Sequence, residues 1–300
     1  RGNGFNPEKS NSIMSFVLDN SVIEGHKIDT ADVNLQTIDK LIDLKIFSNI
    51  DSSKNEVSGK LDLANSDKPI YNLKGKVSNL NLLNFTNDST LISNLNFIFD
   101  VNGHSLDIDK TEGEFKLNFT DSQIGSNEFD SINFRIDLSK AGTTRHVNFQ
   151  SDILDFNISG DFLMAETFNL LQYQTNKISY AIEQKLSEIN PIKFSVDTTN
   201  NIDMLVKNKG YADKNVYLDY NFNFKDFKLI AALLNRDKVE ISGKGYGYIE
   251  NTPENFSLST SMDLDWLFLV PFPFLQNKLS LTLTLMVFKL TLFLTKAKLS

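Results

Sequence analysis

The sequence predicts a mainly β protein built on one long antiparallel sheet. Apolar and polar residues alternate in many segments between about Val57 and Leu264, short turn signals separate these segments, and few segments have helical spacing. Period-two alternation is typical of strands with one face in water. Strands of βαβ units are buried on both faces and would form continuous apolar runs, so the pattern favours antiparallel pairing.

The alternating segments follow one another at short intervals along the chain. The clearest of them are residues 57–63, 95–101, 115–119, 132–138, 154–162, 216–224 and 256–264. Turn signals lie at Asn102-Gly103, Gly125-Ser126-Asn127 and Ala141-Gly142-Thr143, as a meander of hairpins requires. The glycine-rich residues 243–247 fall inside an alternating segment, which predicts a bent strand and not a nucleotide-binding loop.

Helices are predicted to be accessory. Residues 167–188 have helical spacing, and Asn190-Pro191 ends the pattern. Residues 35–46 and 227–234 are shorter helical candidates.

The apolar C-terminal stretch is predicted to form strand. A transmembrane helix needs about 20 uninterrupted apolar residues, and prolines and lysines interrupt this stretch. Alternation begins at Leu279 and changes phase after Val287, as a single bulge would cause. The chain thus divides into an N-terminal part with a short helix (1–56), an elongated sheet with the accessory helix (57–265) and apolar C-terminal strands (266–300).

Composition argues against nucleic-acid and phosphate chemistry. The chain has 300 residues, a formal net charge of -8 and a pI near 5.0, whereas nucleic-acid binders cluster Lys and Arg. Arginine occurs only four times, so bidentate phosphate clamps are scarce. The sequence has no cysteine, which removes disulfides and thiolate metal sites.

No catalytic constellation stands out. The histidines His26, His104 and His146 are isolated from one another in sequence, and phosphate-loop, nucleophile-elbow and zinc-protease motifs are missing. The pairs Asp107/Asp109 and Asp263/Asp265 each place two carboxylates on one strand face, which suits a cation, although solubilising charge is the ordinary explanation. We expect no enzyme activity, no cofactor and no metal.

Phenylalanine dominates the aromatic residues, with 24 Phe against 8 Tyr and 1 Trp. Many of these rings lie on the apolar side of the alternating segments. They either fill the core of a β-sandwich or line an open groove that holds acyl chains, and the residues alone leave both interpretations open.

Residues 147–162, followed by an amphipathic helix, resemble a recurrent module of TamB-like proteins in the AsmA superfamily. Residues 71–82 have the same style, as do residues 94–137 with turns at Asn102-Gly103 and Glu112-Gly113. The resemblance extends over about residues 29–265 and does not include the tail after Trp266. The family's N-terminal anchor and C-terminal domain are not evident, which predicts a middle segment of such a protein.

The resemblance implies a periplasmic protein of double-membraned bacteria that an N-terminal helix anchors in the inner membrane. Its fold would be an elongated antiparallel sheet curled into a trough, a β-taco, with one or two accessory helices. Phospholipid would be its cargo and an outer-membrane assembly protein a further partner. Nucleic acid is not an expected partner, and membrane contact would use parts of the parent protein outside this segment. The family has no catalytic residues to transfer.

The groove candidates are apolar residues on the alternating segments. They are Phe97, Phe99, Phe115, Leu117, Phe119, Phe134, Ile136, Phe156, Ile158, Phe222 and Phe224. Two alternatives remain open: a scaffold that assists outer-membrane protein assembly through exposed strand edges, and an extracellular structural or adhesin β-protein with a dry core.

Overall fold

A computed structural model describes residues 11–86, 89–189, 210, 213–226, 239–269, 279–286 and 289–296. Its strands form one antiparallel sheet of 15 strands, in which each strand pairs with its neighbours in sequence. The sheet is not closed into a barrel but curls into a trough, with the strand twist that sheets normally adopt. The predicted fold class is therefore confirmed.

The strands are β1 (Ser12–Ile23), β2 (His26–Ile38), β3 (Leu41–Ile50), β4 (Ser53–Asp62), β5 (Ile70–Leu80), β6 (Ser93–His104), β7 (Glu112–Ile124), β8 (Asn127–Ala141), β9 (Thr144–Ser151), β10 (Leu154–Asp161), β11 (Val216–Phe224), β12 (Val239–Asn251), β13 (Phe256–Leu269), β14 (Leu279–Met286) and β15 (Lys289–Lys296). The helices are α1 (Leu83–Thr86) and α2 (Met164–Ile189), with a 3-10 turn at Ser89–Leu91. Helix α2 confirms the helix predicted at 167–188, and the candidate at 227–234 lies outside the described residues.

The helix predicted at residues 35–46 is wrong, because these residues form a hairpin between β2 and β3. The turn residues Asp39 and Lys40 have φ values of 47° and 71°, as a two-residue hairpin turn of the primed type requires. Leu35 faces Leu44 across the hairpin. Alternation that is interrupted by a two-residue turn leaves apolar residues at spacings that imitate a helix.

Two predicted turns are also wrong. Asn102-Gly103 lies within β6 and Glu112-Gly113 within β7, where Gly103 and Gly113 are directly opposite each other. The connection between these strands is residues 105–111 instead. The predicted turns at 125–127 and 141–143 are confirmed and join β7 to β8 and β8 to β9.

The described C-terminal residues form strands, as predicted, but the change of phase marks the end of a strand and not a bulge. Strands β14 and β15 pair antiparallel, with Leu285 opposite Leu290, so the change of phase after Val287 falls between two strands. The glycine-rich residues 243–247 lie within β12, as predicted. The register of β12 against β13 shifts between Ser242 and Gly243, which makes this the bulged part of the strand.

Register places one line of residues across the sheet. Its members face each other in successive strand pairs: Met14, Leu35, Leu44, Gly59, Leu73, Val101, Phe115, Ile136, Phe149, Phe156, Phe222, Gly245 and Met262. Side chains that face each other lie on the same side of a sheet. This line marks the inward face of the trough.

Helix α2 fills one part of the trough. Its Leu170 is fully buried, with no exposed surface, and packs in one cluster with Val216, Leu218, Ile249 and other apolar residues. This cluster is the main core of the described residues. The inward face of the earlier strands extends beyond the helix.

We predict that Gly160→Ala lowers the free energy of unfolding by about 1–3 kcal/mol, the usual cost of overpacking. Gly160 faces Leu218 in β11, and a Cβ atom at Gly160 would lie 2.1 Å from the carbonyl oxygen of Tyr217. Urea denaturation measures the effect. Gly210→Ala is the control, because a Cβ atom there meets nothing within 4 Å. Equal midpoints for the two variants would contradict the close strand approach.

Candidate functional site: an apolar trough

The candidate site is a cavity of about 880 Å³ on the inward face, over strands β3 to β10. Cavities that bind small molecules have volumes of roughly 300–1,000 Å³. It is lined by Leu44, Leu61, Tyr71, Leu73, Val101, Ser105, Leu106, Ile108, Thr111, Phe115, Ile136, Leu138, Val147, Phe149, Leu154, Phe156, Ile158 and Met164.

The cavity wall is almost wholly hydrocarbon. Its polar side chains are the hydroxyls of Tyr71, Ser105 and Thr111, and no charged side chain belongs to the lining. Most of the strand residues in the lining are only half-buried. A wall of this kind favours an apolar ligand, since removing apolar surface from water is favourable and an unpaired charge would be strongly disfavoured there.

The structure brings all the groove candidates to the inward face. Phe115, Ile136, Phe156 and Ile158 line the cavity itself. Phe222 belongs to the inward line itself, opposite Phe156. The other candidates lie on the same face in neighbouring lines of register partners: Phe97, Phe99, Leu117, Phe119, Phe134 and Phe224.

The aromatic candidates beyond the cavity extend the apolar wall as a chain of contacting rings. The ring of Phe119 lies 5.0 Å from that of Phe97 and 5.6 Å from that of Phe134, measured between centroids. Phe134 in turn lies 5.9 Å from Phe149, a cavity residue. Such edge and tilted arrangements are the favourable ones for aromatic pairs. The apolar surface is therefore longer than the cavity.

Sequence reasoning missed the cavity residues outside the phenylalanine-rich strands. Leu44 falls in the segment that was predicted to be helical, and Leu106 and Ile108 lie in a connection placed at the wrong position. The signal that identifies Leu44, Leu73 and Val101 is register, because each of them continues the inward line through Phe115.

A buried arginine fixes the loop at one end of the cavity. The guanidinium of Arg145 donates to the carbonyl oxygens of Asp109 at 2.7 Å, Ile108 at 2.8 Å and Thr111 at 2.9 Å, and the residue is only 2% exposed. These carbonyls belong to the connection between β6 and β7, which carries the cavity residues Leu106 and Ile108. Arginine's rigid fork of donors suits this set of acceptors.

Register explains why this arginine points inward. Arg145 faces Gly160 in β10, and Gly160 faces Leu218 of the buried cluster. The start of helix α2 is tied to the same loop, since the backbone N–H of Ala165 donates to Asp109 Oδ1 at 3.3 Å. Loop, strand and helix thus form one support for this end of the cavity.

The outward face has the opposite chemistry. Lys74 Nζ lies 3.0 Å from Asp100 Oδ2, and Arg135 lies 2.7 Å from Glu114 Oε1. The hydrogen bond from Lys74 lowers the pKa of Asp100, so this carboxylate stays ionised at neutral pH. The sheet therefore has one charged, solvated face and one apolar face.

The acidic pair Asp107/Asp109 has structural contacts. Asp107 Oδ1 accepts the backbone N–H of Asp109 at 3.0 Å, and Lys110 Nζ lies 3.3 Å from its other oxygen. These contacts lower the pKa of Asp107. The side chain of Asp265, in the second pair, lies outside the described side chains.

Two of the three histidines each lie beside one carboxylate. His26 Nδ1 is 2.6 Å from Asp51 Oδ2, and His104 Nε2 is 3.5 Å from Glu112 Oε1. No three His, Asp or Glu residues in the described part of the chain are grouped as metal ligands. Among the residues that the structure describes, none of the helices has the length and hydropathy of a membrane span.

Comparison with known proteins gives no match: no protein-family model, no curated protein and no solved structure is significantly similar to this chain.

We predict that Arg145→Lys loosens the loop at residues 105–111. Lysine cannot reach three carbonyl oxygens with the same planar geometry, so at least one charge-assisted hydrogen bond is lost. Amide hydrogen exchange in the loop should accelerate by about tenfold or more, the effect of one such bond. Arg135→Lys, in an exposed outward ion pair, is the control and should leave this exchange unchanged. Equal protection of the loop in both variants would contradict the role of Arg145.

Proposed function

We propose that this chain is a segment of a periplasmic bridge between two membranes, and that it shields phospholipid acyl chains in its apolar trough. The observation that carries the proposal is the uncharged cavity of about 880 Å³ on the inward face, with the phenylalanine wall continuing beyond it. A trough in an open sheet shields a hydrocarbon chain and lets the charged headgroup stay in water.

The energetics of this function are those of hydrophobic transfer. Each CH₂ group that moves from water into the trough gains roughly 0.8 kcal/mol. Because the wall has no charged side chain, no ion pair along it fixes a lipid headgroup. The trough guides lipid passively, and the direction of transport must come from elsewhere.

In this proposal the whole protein lies in the periplasm and is anchored to the inner membrane through parts outside these residues. Phospholipid is the ligand, and membrane contact belongs to those other parts. The function needs no catalytic group and no cofactor.

We predict that Phe115→Asp prevents loading with phospholipid. The introduced carboxylate would lie in the cavity wall next to Tyr71, whose ring centroid is 6.4 Å from that of Phe115. Incubation with vesicles of fluorescent phosphatidylglycerol, followed by separation of protein from vesicles, measures loading. Asn118→Asp on the same strand is the matched control, because Asn118 faces Asn133 on the outward face. It should load as the parent does.

A second variant, which fills the cavity, distinguishes loss of the lipid site from misfolding of Phe115→Asp. Leu73 lines the cavity and is half-buried, so Leu73→Trp adds apolar volume without adding charge. This variant should stay folded by circular dichroism and lose most of its phospholipid. Normal loading of both Leu73→Trp and Phe115→Asp would refute the trough as the lipid site.

A second function, assistance of outer-membrane protein assembly through a strand edge, is favoured by β1. This strand is an edge of the described sheet, and several of its large apolar side chains are at least half exposed. They are Ile13, Met14, Phe16, Val17 and Val22. A long apolar edge strand is a template for an added strand.

The second function predicts a crosslink from β1. A photo-crosslinking amino acid at Val17, in cells that express the whole protein, should form adducts with an outer-membrane assembly protein. The same amino acid at outward Asn118, in the middle of the sheet, should not. Val17→Lys in combination with a crosslinker at Phe16 should reduce the adducts, since edge lysines disfavour strand addition. Adducts only with other segments of the same protein would count against this function.

A further inference from the structure

Tyr71 places a hydroxyl group in the otherwise apolar wall of the trough. The residue lies in β5, lines the cavity and is 7% exposed. No described residue forms a hydrogen bond with its hydroxyl, and the oxygen is not among the fully buried unpaired atoms, so it keeps some exposure on the cavity side. Burial raises the pKa of Tyr71, so the phenol is a neutral donor at physiological pH.

The sheet leaves space for this phenol. Tyr71 faces Gly103 in β6, and Gly103 faces Gly113 in β7. A Cβ atom at Gly103 would lie 2.7 Å from Tyr71 Oη, so any larger residue would displace the hydroxyl. Phe115 contacts the ring of Tyr71 from β7. The absence of a side chain at Gly103 thus leaves the space that the Tyr71 hydroxyl occupies.

The other polar groups of the cavity lie at the same end. Ser105 follows Gly103 by two residues, and Thr111 precedes Gly113 by two. Both line the cavity, and together with Tyr71 they supply all three of its hydroxyls. The three hydroxyls of the cavity thus lie near one end, among the apolar side chains of Leu106 and Ile108. The Thr111 hydroxyl donates to the carbonyl oxygens of Ser105 and Asp107.

A positive charge supports this end. Arg145 donates to the carbonyl oxygen of Thr111 and to two further carbonyls of the same loop. No carboxylate in the described part of the chain forms a salt bridge with it, and the nearby Asp107 carboxylate is bound by Lys110. The buried guanidinium is stabilised by these carbonyl dipoles and also interacts with the Asp107 carboxylate, whose pKa its charge helps to lower. A positive charge at this place favours a ligand atom with negative charge at this end of the cavity.

We propose that Tyr71 is an anchor site for the polar end of an acyl chain, where its hydroxyl donates a hydrogen bond to a carboxylate or ester oxygen while the hydrocarbon lies along the trough. This inference rests on the proposed function, and it adds a position and an orientation to lipid binding. The shared chemistry is an acyl oxygen, which a free fatty acid or a phospholipid ester can supply.

Tyr71→Phe tests the anchor, because it removes one oxygen and keeps the ring. Binding of cis-parinaric acid, its methyl ester and the hydrocarbon probe diphenylhexatriene is titrated by fluorescence. The variant should bind the acid roughly three- to tenfold more weakly, the loss of one hydrogen bond, and bind the hydrocarbon as the parent does. Tyr246→Phe, at an outward position that is 65% exposed, is the matched control and should change neither affinity.

The methyl ester distinguishes the two oxygen sources. If its affinity falls with that of the acid, the site accepts an ester oxygen and suits phospholipid. If the parent binds the ester weakly and Tyr71→Phe does not change that affinity, the site selects a free carboxylate.

Failure of the anchor and failure of the proposed function give different results. Equal affinities of Tyr71→Phe and the parent for acid and ester would overturn the anchor. The proposed function would still hold if the hydrocarbon probe binds the parent and is lost in Leu73→Trp. Absence of any probe binding to the parent would overturn both.

Discussion

The structure depends on the register of a long run of antiparallel strand pairs. Side chains alternate between the two faces of a sheet, so a slip of one residue in any pair would turn the following strand's apolar residues into water. The inward line that runs from Met14 to Met262 crosses the strands without such a slip. Every property of the trough, from its apolar wall to the position of Arg145, follows from this continuity.

Irregularities in the register occur near strand ends and leave the middle of the sheet intact. Shifts lie next to Ile28 in β2, Val77 in β5, Asn94 in β6 and Ser242 in β12. Bulges of this kind increase local twist and bend a strand. They let the sheet curl while the central pairs keep the same face inward.

Helix and loop cover only parts of the inward face. Helix α2 seals the face near Leu170, and the loop held by Arg145 covers one end of the cavity. Between them, half-buried apolar side chains remain. A contiguous apolar surface of this kind normally marks a site of interaction, and this is the reason for proposing lipid shielding instead of a dry structural core.

Sequence reasoning predicted the face chemistry and the long helix because both depend on local periodicity. Phe115 and Phe156 could be placed on the inward face from alternation alone. The hairpin at Asp39 and Lys40 was misread because its spacing imitates a helix.

The roles of Arg145 and Tyr71 could not be predicted from sequence, because each depends on partners that are distant along the chain. Arg145 binds a loop more than 30 residues earlier. Tyr71 depends on space that Gly103 provides across a strand pair. Such contacts are set by register, and composition and periodicity do not specify register.

The central claim is that the trough holds acyl chains, and lipid mass spectrometry of an organic extract from the purified chain tests it most directly. The chain is isolated from a double-membraned bacterium without added lipid, and Leu73→Trp is purified in parallel. The account predicts at least one phospholipid per chain in the parent and little in the variant. A folded parent that yields no lipid, or equal amounts from both proteins, would contradict it.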